Sequence, residues 1–288
     1  MNKVISFQIP KSENTFIKYQ EDRGKYFYDN LHQHPQAQLT LVVEGRGQLL
    51  VGDYVGRFEP GDVYLLPESI PHVFRSDSDY FLEENNLSIT GKTIFFDFQA
   101  LHKAFLEVDD FSELAQMSQK LKISYKVVGE TNRKLTQILM RFGELMGLRR
   151  LQECIHVISL FDFNSSDFLS LNQVPMQHRM NEKDGKRMDQ VMRFILDNIT
   201  RQISLEEVAE QAYMSKEAFC RFFKLRTRRT FTQYVQQLRI TEAKKLLLET
   251  DASISQVSYQ VGFQTLSHFN KTFKNFTAMT PKDWRKLE

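Results

Sequence analysis

Apolar residues follow two grammars along this chain: helical spacing in its last hundred residues and short alternating runs in its first hundred. Between Asp251 and Trp284, Ile254, Val257 and Val261 recur every three or four positions behind the capping candidates Asp251 and Ser253, which predicts a short helix. Gly262 ends it where a tight turn calls for a left-handed backbone. Leu266, Phe269, Phe273 and Phe276 then resume the spacing and predict a second helix with an aromatic inner face. Ser267, His268, Asn270, Lys271 and Lys274 fall on its other side. Helix, glycine turn and basic helix make a helix-turn-helix, whose second member is sized for a DNA major groove.

The same grammar occurs once more upstream. Ser204 and Glu207 are spaced as a capping box ahead of Leu205, Val208 and Ala212. Tyr213 and Met214 take the turn, and Ser215 caps KEAFCRFFKLRT, with Phe219, Phe222 and Phe223 inside and Lys216, Glu217, Arg221 and Lys224 outside. From Lys216 to Arg229 there are six cations against one acid, which suits phosphate and base-edge contacts. A single pattern of this kind is more often a helical hairpin with a solvated face; its repetition favours DNA. Phe231 to Glu249 lacks Gly and Pro and reads as one connecting helix, with Phe231, Val235, Leu238 and Leu246 on a stripe. At ~1.5 Å per residue it is roughly 28 Å long, comparable to the ~34 Å between successive major-groove faces. Lys216, Glu217, Arg221, Ser267, Asn270 and Lys271 are expected at or near base edges, and Lys224, Arg226, Arg228 and Lys274 on phosphates.

In the first half the period falls to two. Residues 1–30 predict an arm or outer strands. QLTLVVE alternates Leu39, Leu41 and Val43, and GQLLV, VYLLP, HVFRS and KTIFFDF read as further strands, with GDYVG as a turn. Short strands punctuated by Gly and Pro predict a small sandwich or barrel. After Phe98 the pattern is helical: one helix led by Phe111, Leu114 and Ala115, one from about Glu130 to Gly147 on Leu135, Ile138, Leu139, Phe142, Leu145 and Met146, and one from Arg149 to Phe161. Residues 165–184 lose periodicity and read as a linker, with a solvated His178.

Net charge is +2 over the chain, but residues 179–288 hold 20 basic against 13 acidic side chains (+7) and residues 1–178 hold 18 against 23 (−5). The basic half is the half with the repeated motif, so two domains with different partners are expected. No run is apolar enough to span a membrane, and MNKVISFQIPKSEN has no signal core. Cys154 and Cys220 make neither a disulfide framework nor a metal cluster and fit a reducing cytoplasm.

MSKEAFCRFFK, FTQYVQQLRITEAKKLL, ISQVSYQVGFQTLSHFNKTFK and TPKDWR resemble the AraC/XylS transcription regulators, across residues 183 to 286. That family often has Gly where Tyr213, Arg228 and Ala278 stand here, which predicts local turn adjustments. HQHPQAQ, EGRG and PGDVYLLPESIPH resemble both sequence motifs of the cupin fold, from Leu31 to Phe98. The expected fold is therefore α+β in two domains. Residues 1–164 form a cupin-like barrel with flanking helices for sensing and dimerisation; 165–184 link it to an all-α domain, 185–288, with two helix-turn-helix motifs joined by a long helix. The resemblance implies a sequence-specific regulator of double-stranded DNA that answers a small-molecule effector; the Phe, Tyr and His around the predicted barrel fit a sugar as well as an aromatic acid or no ligand at all. It also implies a homodimer through the helix at 130–147 and activation through RNA polymerase.

His32 and His34, two apart, share one face of a strand, and Gln38 keeps that parity unless Pro35 disturbs it. The cupin resemblance puts His72 at the position of the last cupin histidine. Three imidazoles and an oxygen donor are a set for Zn, Mn, Fe or Ni. Gln38, however, stands where cupin enzymes usually have Glu, and an amide is a weaker ligand. A polar-ligand pocket on His32, His34, Gln38 and His72 ranks ahead of a structural remnant, and that ahead of a catalytic metal. A metal-dependent cupin enzyme with a DNA-binding tail is thus the alternative function; the leading reading has no catalytic residue and no resident cofactor.

Overall fold

The computed structural model describes residues 16–105, 112–172, 175 and 180–287, in two compact units, Met1–Asn181 and Glu182–Glu288. His178 lies outside the described residues.

The first unit pairs two antiparallel sheets. One orders β1 (Ile17–Gly24), β7 (Ile89–Phe96), β2 (Ala37–Glu44), β5 (Val63–Leu66), β8 (Tyr125–Val127) and β9 (Phe168–Ser170) from edge to edge. The other orders β4 (Tyr54–Phe58), β3 (Gly47–Val51) and β6 (His72–Ser76). Three strands differ from the pattern read in the sequence. Tyr54–Phe58 is a strand, because Gly52 at φ 59° confines the turn to Gly52 and Asp53 and lets Tyr54 pair with Val51. Tyr125–Val127 and Phe168–Ser170 extend the large sheet beyond β5, and the latter falls within the stretch expected to be linker. Each is three residues long, too short for alternation to register.

Alternation along β2 serves two layers. Leu39 and Leu41 share a core with Val63, Leu65, Ile94 and Phe96, and with Leu135, Ile138, Leu139 and Phe142 of α3 (Gly129–Phe142) and Cys154, Val157 and Ile158 of α4 (Gly147–Ser159). Val42, on the opposite face, packs with Tyr64, Leu66 and Ile89 against Leu49, Val51, Phe58 and Phe74 of the smaller sheet. The strongest apolar set thus seals the sheet against its helices. The space between the sheets receives the other parity, which includes the buried polar side chains Gln38, Thr40 and Thr93. The helix expected to reach Gly147 ends at Phe142; Leu145 stays half-buried against the core, but Met146 is 80% exposed. The shorter helices α1 (Phe98–Phe105) and α2 (Ser112–Lys120) precede β8.

The second unit runs α5 (Glu182–Asp197), α6 (Leu205–Gln211), α7 (Lys216–Thr227), α8 (Phe231–Glu249), α9 (Ile254–Gln260), α10 (Leu266–Thr277) and α11 (Pro281–Trp284). Its starts are written locally. Ser204, Thr230 and Ser253 close capping boxes with Glu207, Gln233 and Gln256, and Ser215, Thr265 and Thr280 cap the helices that follow them. The single stripe expected on α8 is replaced by two. Phe231 and Tyr234 meet Phe219 and Phe223 of α7, whereas Ile240, Ala243 and Leu247 enter the core of α9 and α10; Leu246 is only half-buried. A helix that packs one motif on each half has to turn its apolar face between them. Phe276, expected inside α10, is exposed.

Candidate nucleic-acid interface and histidine pocket

α7 and α10 bury Phe219 and Phe223, and Phe269 and Phe273, respectively, against α8. Burying those rings sets the opposite faces outward: Lys216, Glu217, Cys220, Arg221 and Lys224 are exposed on α7, and Ser267, His268, Asn270, Lys271 and Lys274 on α10. Lys224, Lys271 and Lys274 have no ion-pair partner among the described residues. Lys216 Nζ meets Glu206 Oε1 of α6 at 2.6 Å; that hydrogen bond raises the lysine pKa and holds Glu206 below the usual carboxylate range.

Arg226, expected on a phosphate, has partners within the protein. Its guanidinium pairs with Asp184 of α5 and lies 4.7 Å from the centroid of the Phe222 ring, with 19% of the side chain exposed. It fastens α5 to α7. Arg228 remains exposed at the C-cap of α7.

The turns explain the expected glycine departures. Tyr213, Arg228 and Ala278 all adopt φ between 54° and 59°, and Gly262, at the turn matching Tyr213, has φ 92°. Each non-glycine residue holds a left-handed conformation that glycine adopts without strain, at ~1–2 kcal/mol for an L side chain.

In the first unit, three histidines converge without the continuous strand that their spacing predicts. β2 starts only at Ala37, after a bend at Pro35 and Gln36. Instead, His32 and His72 exchange backbone hydrogen bonds of 3.1 and 2.9 Å, which sets their rings 4.4 Å apart. The His34 ring lies 5.1 Å from that of His72 and 5.2 Å from Phe95. Each ring offers one nitrogen to a group within 4.8 Å, and no carboxylate joins it among the described residues. Burial pulls all three below the ordinary histidine range, His32 to about 4, and the neighbouring rings add to this at His32 and His72. From His34 a polar chain runs between the sheets through Gln38 (3.0 Å) and Thr40 (2.7 Å) to Thr93 (3.0 Å). The donors fit a divalent ion as well as a polar ligand: His72 Nε2 is buried without a hydrogen-bond partner among the described residues, and His32, His34 and His72, with Gln38 Oε1, would hold such an ion.

Comparison with known proteins agrees with both halves. A helix-turn-helix domain model matches residues 208–287, and a cupin domain model matches residues 25–80. The HTH-type transcriptional activator RhaR of Enterobacter sp. (strain 638) is 23% identical over 88% of this chain and 86% of its own length. The Msm operon regulatory protein of Streptococcus mutans is 22% identical over 92% and 88%. The chain is thus similar, in both its cupin and its helix-turn-helix parts, to AraC-family transcription regulators. An uncharacterized HTH-type transcriptional regulator of Bacillus subtilis, YdeC, is 34% identical over 35% of this chain, and the match spans 35% of that protein. Among solved structures, the DNA-binding domain of AdpA in complex with a target DNA is 26% identical over 35% of this chain and 90% of that one, with a TM-score of 0.34.

The chain is a DNA-binding transcription regulator, a reading the comparisons support over the enzyme alternative. No helix among the described residues is long and apolar enough to cross a membrane. Two residues of the second unit escaped the sequence reading. Tyr213 is 79% exposed at the mouth of α7, and its signal was an aromatic at a turn position that favours glycine. Arg239 donates to the Ile199 and Arg201 carbonyls that follow α5, which nothing in the local pattern announces.

Proposed function

We propose that α7 and α10 read two adjacent major-groove segments of an operator, with α8 as the strut between them. Glu217, Arg221, Ser267, Asn270 and Lys271 approach base edges, joined by Lys216 once Glu206 releases it; Lys224, Arg228 and Lys274 hold phosphates. The observation that carries this reading is the pair of outward polar faces, each set by phenylalanines packed on opposite halves of α8. The first unit binds a polar small molecule, a sugar being one fit, between its sheets beside His32, His34, Gln38 and His72. It dimerises through α3 and α4, where Met140, Met146, Leu148 and Ile155 are exposed. The output is activation through RNA polymerase, in the cytoplasm, and no reaction is catalysed.

A pull-down of genomic fragments with purified protein tests it. Wild type is expected to enrich a motif with two blocks about one helical turn apart. Arg221→Ala relaxes one block and Lys271→Ala the other, each at about 1–3 kcal/mol. Enrichment without sequence preference, lost at modest salt, refutes base reading.

A further inference from the structure

We infer that Arg239, in the middle of α8, is a positioning residue for operator recognition: it fixes α7 relative to α10, and so sets the spacing between the two operator blocks. The inference rests on the proposed reading of two adjacent groove segments by those helices, and it names what holds them in register.

Both motifs share α8. Phe231 and Tyr234 near its start hold α7, whereas Ile240, Ala243 and Leu247 hold α9 and α10. A helix of 19 residues loaded on its two halves is free to curve unless something braces it. One base pair is only about 3.4 Å of rise and about 34–36° of rotation. A small flexing of the strut is therefore enough to blur the register.

Arg239 is such a brace. Its Nε donates to Ile199 O at 2.9 Å and its Nη2 to Arg201 O at 2.6 Å, both in the segment that joins α5 to α6. The two bonds use the planar fork of a guanidinium, which a lysine ammonium does not reproduce. The turn between α9 and α10 closes on the same place. A Cβ on Gly262 would stand 2.5 Å from Ile199 O and 2.9 and 3.0 Å from Arg239 Nε and Cζ. The guanidinium lies 5.8 Å from the centroid of the buried Phe263 ring, and Gln264 Nε2 donates to Gln202 Oε1 at 2.6 Å across the junction.

One side chain of the strut thus meets the segment ahead of the first motif and the turn that aims α10. Burial lowers the guanidinium pKa from its ordinary value, and no carboxylate pairs with it among the described residues. Its charge holds main-chain carbonyls in place. The matching upstream turn is not engaged in this way, since Tyr213 there is exposed. The close contact at Gly262 therefore belongs to the junction and not to the helix-turn-helix frame.

The test compares full-length wild type with Arg239→Gln and Arg239→Lys on synthetic fragments built from the two-block motif that wild type enriches. The spacer between the blocks is native, one base pair shorter or one longer, and further fragments carry one block with the other scrambled. Wild type is expected to lose about tenfold or more in affinity on either altered spacer. Arg239→Gln should bind the native spacer about tenfold less tightly, distinguish the three spacers by less than about threefold, and bind each single-block fragment as wild type does. Arg239→Lys, which reaches one carbonyl, falls between the two. An unchanged spacer profile overturns the inference. So does weaker binding of Arg239→Gln to the single block read by α10, which would mean local damage to the turn.

A second readout needs no operator. Nitroxide labels at Gln211→Cys of α6 and Gln260→Cys of α9, both exposed, are combined with Cys220→Ser in chains diluted with unlabelled protein. Pulsed electron resonance then gives the distance distribution between the two motifs without DNA. It should broaden in Arg239→Gln, and equal widths refute the brace. If wild type enriches no two-block motif, the operator reading fails, and the distance measurement still decides whether Arg239 aligns the motifs. Where circular dichroism shows that Arg239→Gln does not fold, Arg239→Lys carries both readouts.

Discussion

Around α8, the pair α6 and α7 is repeated by α9 and α10. Both first helices open with a serine capping box, both second helices bury two phenylalanines four apart, and both turns use a left-handed residue. The two copies differ in what surrounds this shared frame. At the upstream turn Tyr213 projects into solvent, whereas a Cβ on Gly262 would meet Ile199 O at 2.5 Å and Arg239 Nε at 2.9 Å. Upstream, Lys216 and Arg226 are engaged by Glu206 and Asp184; downstream, Lys271 and Lys274 have no ion-pair partner among the described residues. The turn alone therefore tolerates a side chain, and the neighbouring backbone decides where glycine is required. Likewise, the basic residue count does not equal the charge available to DNA.

The sharpest way to break the comparison is in the cores. Phe223→Ala and Phe273→Ala are each expected to cost about 3–5 kcal/mol in denaturant unfolding. A difference larger than that spread would show that the two motifs are not equivalent frames. Next comes the turn: Gly262→Ala should cost about 3 kcal/mol, combining left-handed strain with the clash at Ile199. A neutral result would show that the turn can move away from Arg239.

Arg226→Ala and Lys274→Ala separate structural from available charge. The first removes a mostly buried partner of Asp184 and should lower stability by about 2 kcal/mol, a discount on a fully buried pair, while leaving the salt dependence of DNA binding unchanged. The second should leave the melting curve within about 0.5 kcal/mol of wild type and reduce the slope of log affinity against log salt by about 1. An exchange of these two phenotypes would restore Arg226 to the phosphate contacts. The smallest effect is expected from Tyr213→Gly, which relieves a left-handed tyrosine and should stabilise by about 1 kcal/mol. Loss of operator affinity in that variant, with stability gained, would mark the exposed ring as a DNA contact.

Much of the second unit was legible because its determinants are local. Caps at Ser204, Ser215, Thr230 and Ser253 lie within one turn of the helices they start, and α8 begins and ends where the absence of Gly and Pro predicts. Phenylalanine spacing on α7 and α10 also carries the inner and outer faces, apart from Phe276. Less of the first unit could be read. β8 and β9 are strands because β5 leaves an edge to pair, and three residues carry no periodicity of their own.

By itself, then, the sequence determined what short-range hydrogen bonding and helical period control: where the helices of the two motifs start, which of their faces are apolar, the left-handed turn at Gly262, and the repeat that points to DNA. Tertiary structure alone decided what depends on partners distant in the chain. It gave α8 two packing faces, tied Arg226 to Asp184, and turned the polar parity of β2 between the sheets. It also brought His72 against His32 through a backbone bridge, which spacing within the HQH stretch could not convey. Such contacts are set by how whole elements stack, and no local pattern encodes a neighbour that only the stacking brings near.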